Sequence, residues 1–467
     1  MAKIHDPDKV EYLVLQGGGG KGVAYLGAIQ ALEEKGILPI KQKSDGDAPK
    51  LKGVAGTSAG AITALLIALG FTADEIDKKF LSKPELFMSF FDGPDNGSYR
   101  TVSSFNIPGR SDRSVHINLN ETVEAFIKKS GDMDAQNPIV RTLAISLLGF
   151  LQSSAQYTSL LKQPAHEVLF MLLKGSDTSH RTDAFKGKLI GAGFKNLGFE
   201  FLFYQIIQAI LPNSEPEDRN DIVQKLTEDP YGYIFNLLFD RGLFPGYSVR
   251  AFFGQIIGER FKNFFNKDID GSTISFETFY EVTKCNLLFT GVNVSKNQPQ
   301  YFSKDHTPDF PVAEAAAISM NIPIVFKPVY VEAENLEGFW VDGGTVFNLP
   351  LHAFDYIEKK ELLNSYGKTY YDYLNPGTLA LSLVPYLPGE ESAEKSWTDE
   401  LPILDFTKGI VDVLWEPNER QIQQEVEREQ IIQIPYGELS TLNFAPNEEL
   451  KKDPIERAYE QVIGYFR

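Results

Sequence analysis

The apolar positions near the N-terminus come in short runs, each followed by glycines and then by a helical pattern. Residues 12–16 form such a run, and Gly17–Gly22 follow it. Over residues 23–35, Leu26, Ile29, Ala31 and Leu32 recur at helical spacing, with Gly36 as a natural stop. A polar turn at 41–50 precedes a second run at 51–55. That run leads into Gly56-Thr57-Ser58-Ala59-Gly60 and the apolar helix 61–69, again stopped by a glycine, Gly70. Strand, glycine turn, helix, twice over, predicts an α/β fold, a three-layer sandwich whose central sheet is mainly parallel. Strand-like runs return at 285–294, 325–329, 338–341 and 378–383, and a helix is expected at 453–466.

Between these regions the pattern changes. Residues 93–113 are rich in Gly, Ser, Asn and Pro and read as an exposed loop. Long apolar helical segments follow at 139–151, 166–173 and 189–211. A chain of 467 residues is long for one core. The expected organisation is a principal domain of residues 1–92 and 241–467, interrupted by a mainly helical insertion at 93–240.

Charge narrows the partners. A net charge of −18 argues against nucleic acid, which needs a basic footprint, and weakens general attraction to anionic membranes. The one cysteine, Cys285, excludes an intramolecular disulfide. The first ten residues are polar, unlike a secretory signal, and no run approaches the roughly 18 apolar residues that would span a bilayer. A soluble protein is expected, cytoplasmic by default, with export by a non-cleaved route left open.

Three motifs carry candidate chemistry. Gly56-Thr57-Ser58-Ala59-Gly60 fits G-x-S-x-G between a strand and a helix, where small residues permit a tight turn that exposes the serine hydroxyl. The competing reading is a glycine turn with a capping serine. A nucleophilic serine needs a base, usually histidine. None of the six histidines sits in an evident strand-end motif, although His306 and His352 are the ones to consider. The chain offers instead Trp340-Val341-Asp342-Gly343-Gly344, an aspartate ending an apolar strand, which could also be a plain turn aspartate. Finally, Gly17-Gly18-Gly19-Gly20-Lys21-Gly22 can turn successive amides towards an anion or a developing oxyanion. Gly17, Gly19 and Gly22 also satisfy a dinucleotide fingerprint, but the second strand does not end in the acidic residue that motif wants, and no Lys-Ser/Thr pair makes it a P-loop. At 266–277, Asp268, Asp270, Gly271 and Glu277 fall at EF-hand positions. Asn266 opens that loop, Ile274 is one place late, and Gly271-Ser272 serves equally as a turn.

These motifs, in this order, resemble the patatin-like phospholipase family, whose pattern is G-G-G-x-[RK]-G, then G-T-S-A-G, then D-G-G or D-G-A. Residues 316–329 are similar to the segment that precedes the family's aspartate strand. The resemblance covers residues 11–93 and 242–467. It implies a lipid acyl-hydrolase of phospholipase A type, with no cofactor and no catalytic metal. Ser58 would be the nucleophile and Asp342 the base. Gly17, Gly18, Gly19 and Lys21 would surround the oxyanion, with Gly56, Gly60, Gly343 and Gly344 as supporting turns. Lys21 stands where many members carry arginine, so the cation is kept but bidentate geometry is lost. A phospholipid or related lipid ester is the implied substrate, with peripheral membrane contact and room for a protein activator. A lipid acyltransferase, or a catalytically silent lipid- or protein-binding member, would share these residues. The insertion is read as a lid or membrane-facing cap carrying Phe199, Phe201, Leu202, Phe203 and Tyr204, or else as a helical subdomain buried against the core.

Overall fold

The computed structural model of the chain describes residues 3–40, 49–83, 86–87, 89–93, 101–102, 222, 226, 233, 236, 241–333, 335–355, 375–387, 428–439 and 446–467. In chain order the elements are β1 (Tyr12–Leu15), a 3-10 turn at Gly19–Ala24, α1 (Tyr25–Glu34), β2 (Gly53–Gly56), α2 (Ala59–Ala68), α3 (Ala73–Ile76), β3 (Thr101–Val102) and β4 (Gly242–Phe244). They continue with α4 (Tyr247–Asn263), α5 (Phe276–Thr283), β5 (Asn286–Asn293), β6 (Gln298–Ser303), α6 (Val312–Ser319), β7 (Ile324–Phe326) and β8 (Val329–Val331). The last are β9 (Gly338–Asp342), β10 (Thr378–Val384), β11 (Ile431–Pro435) and α7 (Glu448–Tyr465).

The main sheet runs β11-β10-β1-β2-β5-β9-β8-β3, with β6 also paired to β5. From β11 to β5 every pairing is parallel, while β9 is antiparallel to both β5 and β8. This is the expected α/β class with a mainly parallel sheet. Successive side chains of a strand point to opposite faces, and both faces are dry here. Leu13, Leu15, Val54, Leu287, Leu379 and Leu381 join the core that holds helices α1, α2 and α6. Val14, Ala55, Leu288 and Ala380 point the other way and are covered by Leu349, Leu351, Ala353 and Phe354.

β5 is the strand that organises the site. Leu288 and Phe289 pair with both β2 and β6, and residues 291–293 pair with both β6 and β9. A strand has two edges, so β2 and β9 must share the edge opposite β6. β2 runs parallel to β5 and ends at Gly56 beside Phe289; β9 runs antiparallel and ends at Asp342 beside Gly291. Two strands from opposite directions thus finish head to head, separated by Thr290.

Several expectations need correction. The run at 325–329 is two strands, not one: β7 pairs with β4 in a separate two-stranded sheet, and β8 joins the main sheet. Pro328, which has no N–H to donate, lies at the break. The C-terminal helix starts at Glu448 rather than 453, because Asn447 caps it by accepting from the Leu450 amide, and it continues through the buried Pro454. Strands β6 and β11 and the long helix α4 were not foreseen. The helical insertion and its lid reading, with Phe199, Phe201, Leu202, Phe203 and Tyr204, lie outside the described residues. At the end of that stretch Ile222, Leu226 and Tyr233 are buried in the core, with the Tyr233 ring edge-on to Phe244.

α1 and α7 touch backbone to backbone. A Cβ added at Gly27 would collide with the Ile455 carbonyl and approach the Tyr459 amide at 3.0 Å. Helix propensity alone favours alanine there by about 1 kcal/mol. A collision with backbone cannot be relieved by a rotamer change and costs about 1–3 kcal/mol. Gly27→Ala is therefore expected to lower the melting temperature by several degrees in a thermal unfolding experiment. A rise would mean that the two helices part without cost.

Candidate functional site

Ser58 lies between the end of β2 and the start of α2, with φ 53° and ψ −122°. Positive φ is unusual for a residue with a side chain and costs on the order of 1–3 kcal/mol, so surrounding contacts must impose it. They are specific. The Gly60 amide donates to the Thr57 carbonyl at 2.8 Å, the Ala61 amide to the Ser58 carbonyl at 2.8 Å, and the Ser58 amide to the Ser319 hydroxyl at 3.1 Å. The Thr57 hydroxyl donates to the Phe347 carbonyl at 3.0 Å, so in its 2.7 Å contact with Thr290 it accepts. The supporting glycines are close-approach positions. A Cβ at Gly56 would strike the Gly60 carbonyl, and one at Gly60 the Leu15 and Gln16 carbonyls.

Asp342 arrives from the opposite direction at the end of β9. Its main-chain amide donates to the Asn321 carbonyl at 3.0 Å, and its Oδ1 accepts from the Gly344 amide at 2.7 Å. Gly343 sits against Thr290, with no room for a side chain. The Ser58 hydroxyl lies near enough to the Asp342 carboxylate to favour its ionised form. Ser58 is 6 % exposed and Asp342 4 %. Loss of water around the carboxylate dominates its titration. Burial pushes the Asp342 pKa up to about 7, against the opposing pull of the Gly344 amide and the nearby Ser58 hydroxyl.

The glycine loop follows β1 and borders the serine. Gly17 is locked by its own amide donating to the Asn348 carbonyl at 3.0 Å and by the Asn348 side-chain amide donating to the Gly17 carbonyl at 3.3 Å. A Cβ at Gly17 would lie 3.2 Å from Ser58 Cβ, so the loop passes directly beside the serine. The first hydrogen bond of the 3-10 turn runs from the Lys21 amide to the Gly18 carbonyl. The amides of Gly18, Gly19 and Gly20 therefore precede the turn's own ladder, where N–H groups have no partner within the helix. Gly18 packs on Leu383, and Gln16, just ahead of the loop, is pinned by accepting from Ser382 Oγ at 2.6 Å and the Leu383 amide at 2.8 Å. The Lys21 ammonium stands 4.4 Å above the Tyr436 ring.

Ser58, Asp342 and the loop at 17–21 are thus brought together, with Gly56, Gly60, Gly343 and Gly344 at the turns between them. His306 is bonded through Nδ1 to Ser303 Oγ at 2.8 Å and His352 through Nδ1 to Asp355 Oδ2 at 2.8 Å. At 266–277, Asp270 accepts from the Ser272 amide and hydroxyl, Asp268 pairs with Lys262, and Gly271 closes against α4. No group of three or more His, Cys, Asp or Glu side chains able to hold a metal occurs among the described residues. Sequence reading missed Thr290, Ser319, Asn348 and Gln16. Their signals were weak: Ser319 lies in the 316–329 segment, Thr290 inside the strand run 285–294, and Gln16 and Asn348 just outside the motifs.

An uncharacterised protein of Bacillus subtilis (strain 168), YqhO, is 49 % identical over 63 residues, 14 % of this chain and 18 % of its own. The probable lipid hydrolase 463L of Invertebrate iridescent virus 6 is 32 % identical over 95 residues, 20 % of this chain and 31 % of its own. A cGAMP-activated phospholipase of Vibrio cholerae is 31 % identical over 131 residues, 23 % of this chain and 36 % of its own. The matches thus span well under half the length of these relatives. Among solved structures, VipD from Legionella pneumophila aligns with 98 % of this chain and 67 % of its own at 18 % identity, with a TM-score of 0.41. The family model for patatin-like phospholipase matches residues 13–147 and 183–355, more than half of the chain, running into the stretch read as an insertion. Because that match takes in the glycine loop, the Ser58 turn and Asp342 alike, this chain belongs to the patatin-like phospholipase family.

Proposed function

We propose that this protein hydrolyses acyl esters of phospholipids or related lipids, with Ser58 as nucleophile and Asp342 as general base. The observation that carries the reading is a buried serine at the end of β2 facing, from the end of β9, a buried carboxylate whose pKa is pushed up to about 7. A base of that strength is half ionised near neutrality, where it can both take and return a proton. Family membership and the names of the Vibrio cholerae and iridescent virus relatives support lipid as the substrate class.

The Ser58 oxygen attacks the acyl carbonyl carbon as its proton passes to Asp342. The resulting oxyanion is held by amides at Gly18 and Gly19, with Gly17 and Lys21 alongside and the positive N-terminal end of α2 directed at the same centre. Collapse breaks the ester bond. The departing alkoxide takes the proton from Asp342, leaving the acyl group on Ser58. Water then loses a proton to Asp342 as it attacks the acyl-enzyme, and collapse returns that proton to Ser58 and frees the fatty acid. No residue beyond the pair is needed for proton balance. Among the described residues no helix is long and apolar enough to cross a membrane, so substrate would be met by peripheral contact. Dependence on an activator belongs to this proposal as well, prompted by the cGAMP-activated relative.

The direct test is fatty acid release from mixed phospholipid vesicles, with a chelator present, in buffer and with added cell extract. Wild type should release fatty acid, whereas Ser58→Ala and Asp342→Asn should each fall by three orders of magnitude or so. Full activity of Asp342→Asn would move the base elsewhere, with His306 and His352 the next residues to change. The acid limb should rise with pH through about 7, since only the ionised carboxylate accepts the proton.

Stability should move in the opposite sense. The folded pKa of about 7 lies above the ordinary carboxylate value of 3.8, so folding takes up a proton between them. This contribution is fully present below about pH 4 and is lost as pH rises through 7, about 4 kcal/mol in all. Asp342→Asn should therefore melt above wild type at about pH 8, with the gap closing by about pH 4. A gap that does not change with pH would mean that the carboxyl titrates normally.

A further inference from the structure

The segment 316–329 has no part in the chemistry proposed above, yet its first turn touches both halves of the pair. Ser319 closes α6 and is fully buried. Its hydroxyl accepts the Ser58 amide at 3.1 Å. Two residues on, the Asn321 carbonyl accepts the Asp342 amide at 3.0 Å. The Asn321 side chain is in turn tied down, donating through Nδ2 to the Lys327 carbonyl at 2.5 Å. A single three-residue corner, Ser319-Met320-Asn321, therefore fixes the main chain of the serine and of the aspartate. Of these two anchors, the one to Asp342 is a carbonyl and survives any substitution, whereas the one to Ser58 depends on a side chain.

We infer that Ser319 is a positioning residue that sets the reactivity of Ser58 by holding its amide at the end of α6. The inference rests on the Ser58–Asp342 reading above. Ser58 stands at φ 53°, a conformation it does not prefer. Without the Ser319 acceptor, its buried N–H is left unpaired, and the turn can relieve that cost by rotating the peptide away from the geometry in which the hydroxyl meets Asp342. The same bond bears on the oxyanion. The Ser58 amide is already engaged, so it is not a donor to substrate, and the donors must come from the glycine loop and the start of α2.

The experiment compares Ser319→Ala, Ser319→Thr and Ser319→Val in the full chain. Thr and Val have the same shape and the same steric cost in a buried site, but only Thr keeps the acceptor oxygen. The readouts are the second-order rate of labelling by a fluorophosphonate probe and kcat and KM for vesicle hydrolysis. Ile318→Val serves as a neighbouring core control, with thermal melting followed throughout. Labelling and kcat are expected to fall by roughly tenfold or more in Val and Ala, with KM nearly unchanged, and to recover substantially in Thr. Ile318→Val should lower the melting temperature without changing the labelling rate. If Val and Thr label at the same rate, or if rate merely follows melting temperature across the whole set, the inference is overturned while the catalytic reading stands. If wild type does not label and matches Ser58→Ala, the catalytic reading itself fails, and the role given to Ser319 falls with it.

Discussion

β5 is the longest strand of the sheet among the described residues, and it serves two neighbours along one edge. β2 occupies the first half of that edge and β9 the second, running towards each other and stopping either side of Thr290. Main-chain hydrogen bonds set the register of both, so the ends of the two strands have no freedom to drift apart. The turn after β2 carries Ser58, and the last residue of β9 is Asp342. Two groups distant in sequence meet because a third strand measures the gap between them. Thr290 fills that gap, bonded to Thr57 on one side and packed against Gly343 on the other.

The arrangement costs stability in two places. Ser58 is held at positive φ, and Asp342 is dehydrated enough to raise its pKa to about 7. Both costs are met by contacts that are mostly main chain: carbonyls of Thr57, Phe347 and Asn321, and amides of Gly60, Ala61 and Gly344. Backbone partners are a sound choice for holding a strained centre, because they bring little rotamer entropy to be lost and are unaffected by most substitutions. The exceptions, Ser319, Thr290, Asn348 and Gln16, are the side chains on which the geometry rests.

Much of this was legible in sequence because it is local. Strand, glycine turn and helix follow one another within a few residues at Gly17 and again at Ser58, and steric rules alone predict the turns. The fold class followed from the same repetition. What sequence could not settle was long-range. Whether Ser58 is partnered by an aspartate or a histidine depends on which strand ends where, and hydrophobic runs do not encode that. β6, Gln-Pro-Gln-Tyr-Phe-Ser, lies on one edge with its first two residues exposed and so lacks an apolar signature. The run at 325–329 looked continuous because apolar character does not record that Pro328 lets the chain leave one sheet and enter another. Ser319 was invisible for a simpler reason: a buried serine at a helix end has no meaning until its partner is known.

The head-to-head ending of β2 and β9 also governs how the fold can vary. The chain between β2 and β5 can lengthen without changing the register of the two strands against each other. Inside β5 there is no such tolerance. One residue added between Phe289 and Gly291 would push the two strand ends apart by about 3.3 Å and turn the following side chains to the opposite face. Ser58 and Asp342 would then be separated by more than a hydrogen bond can span, although every motif remained intact. A sequence that keeps all three glycine-rich motifs but changes the length of this one strand would retain the family's signature and lose its geometry.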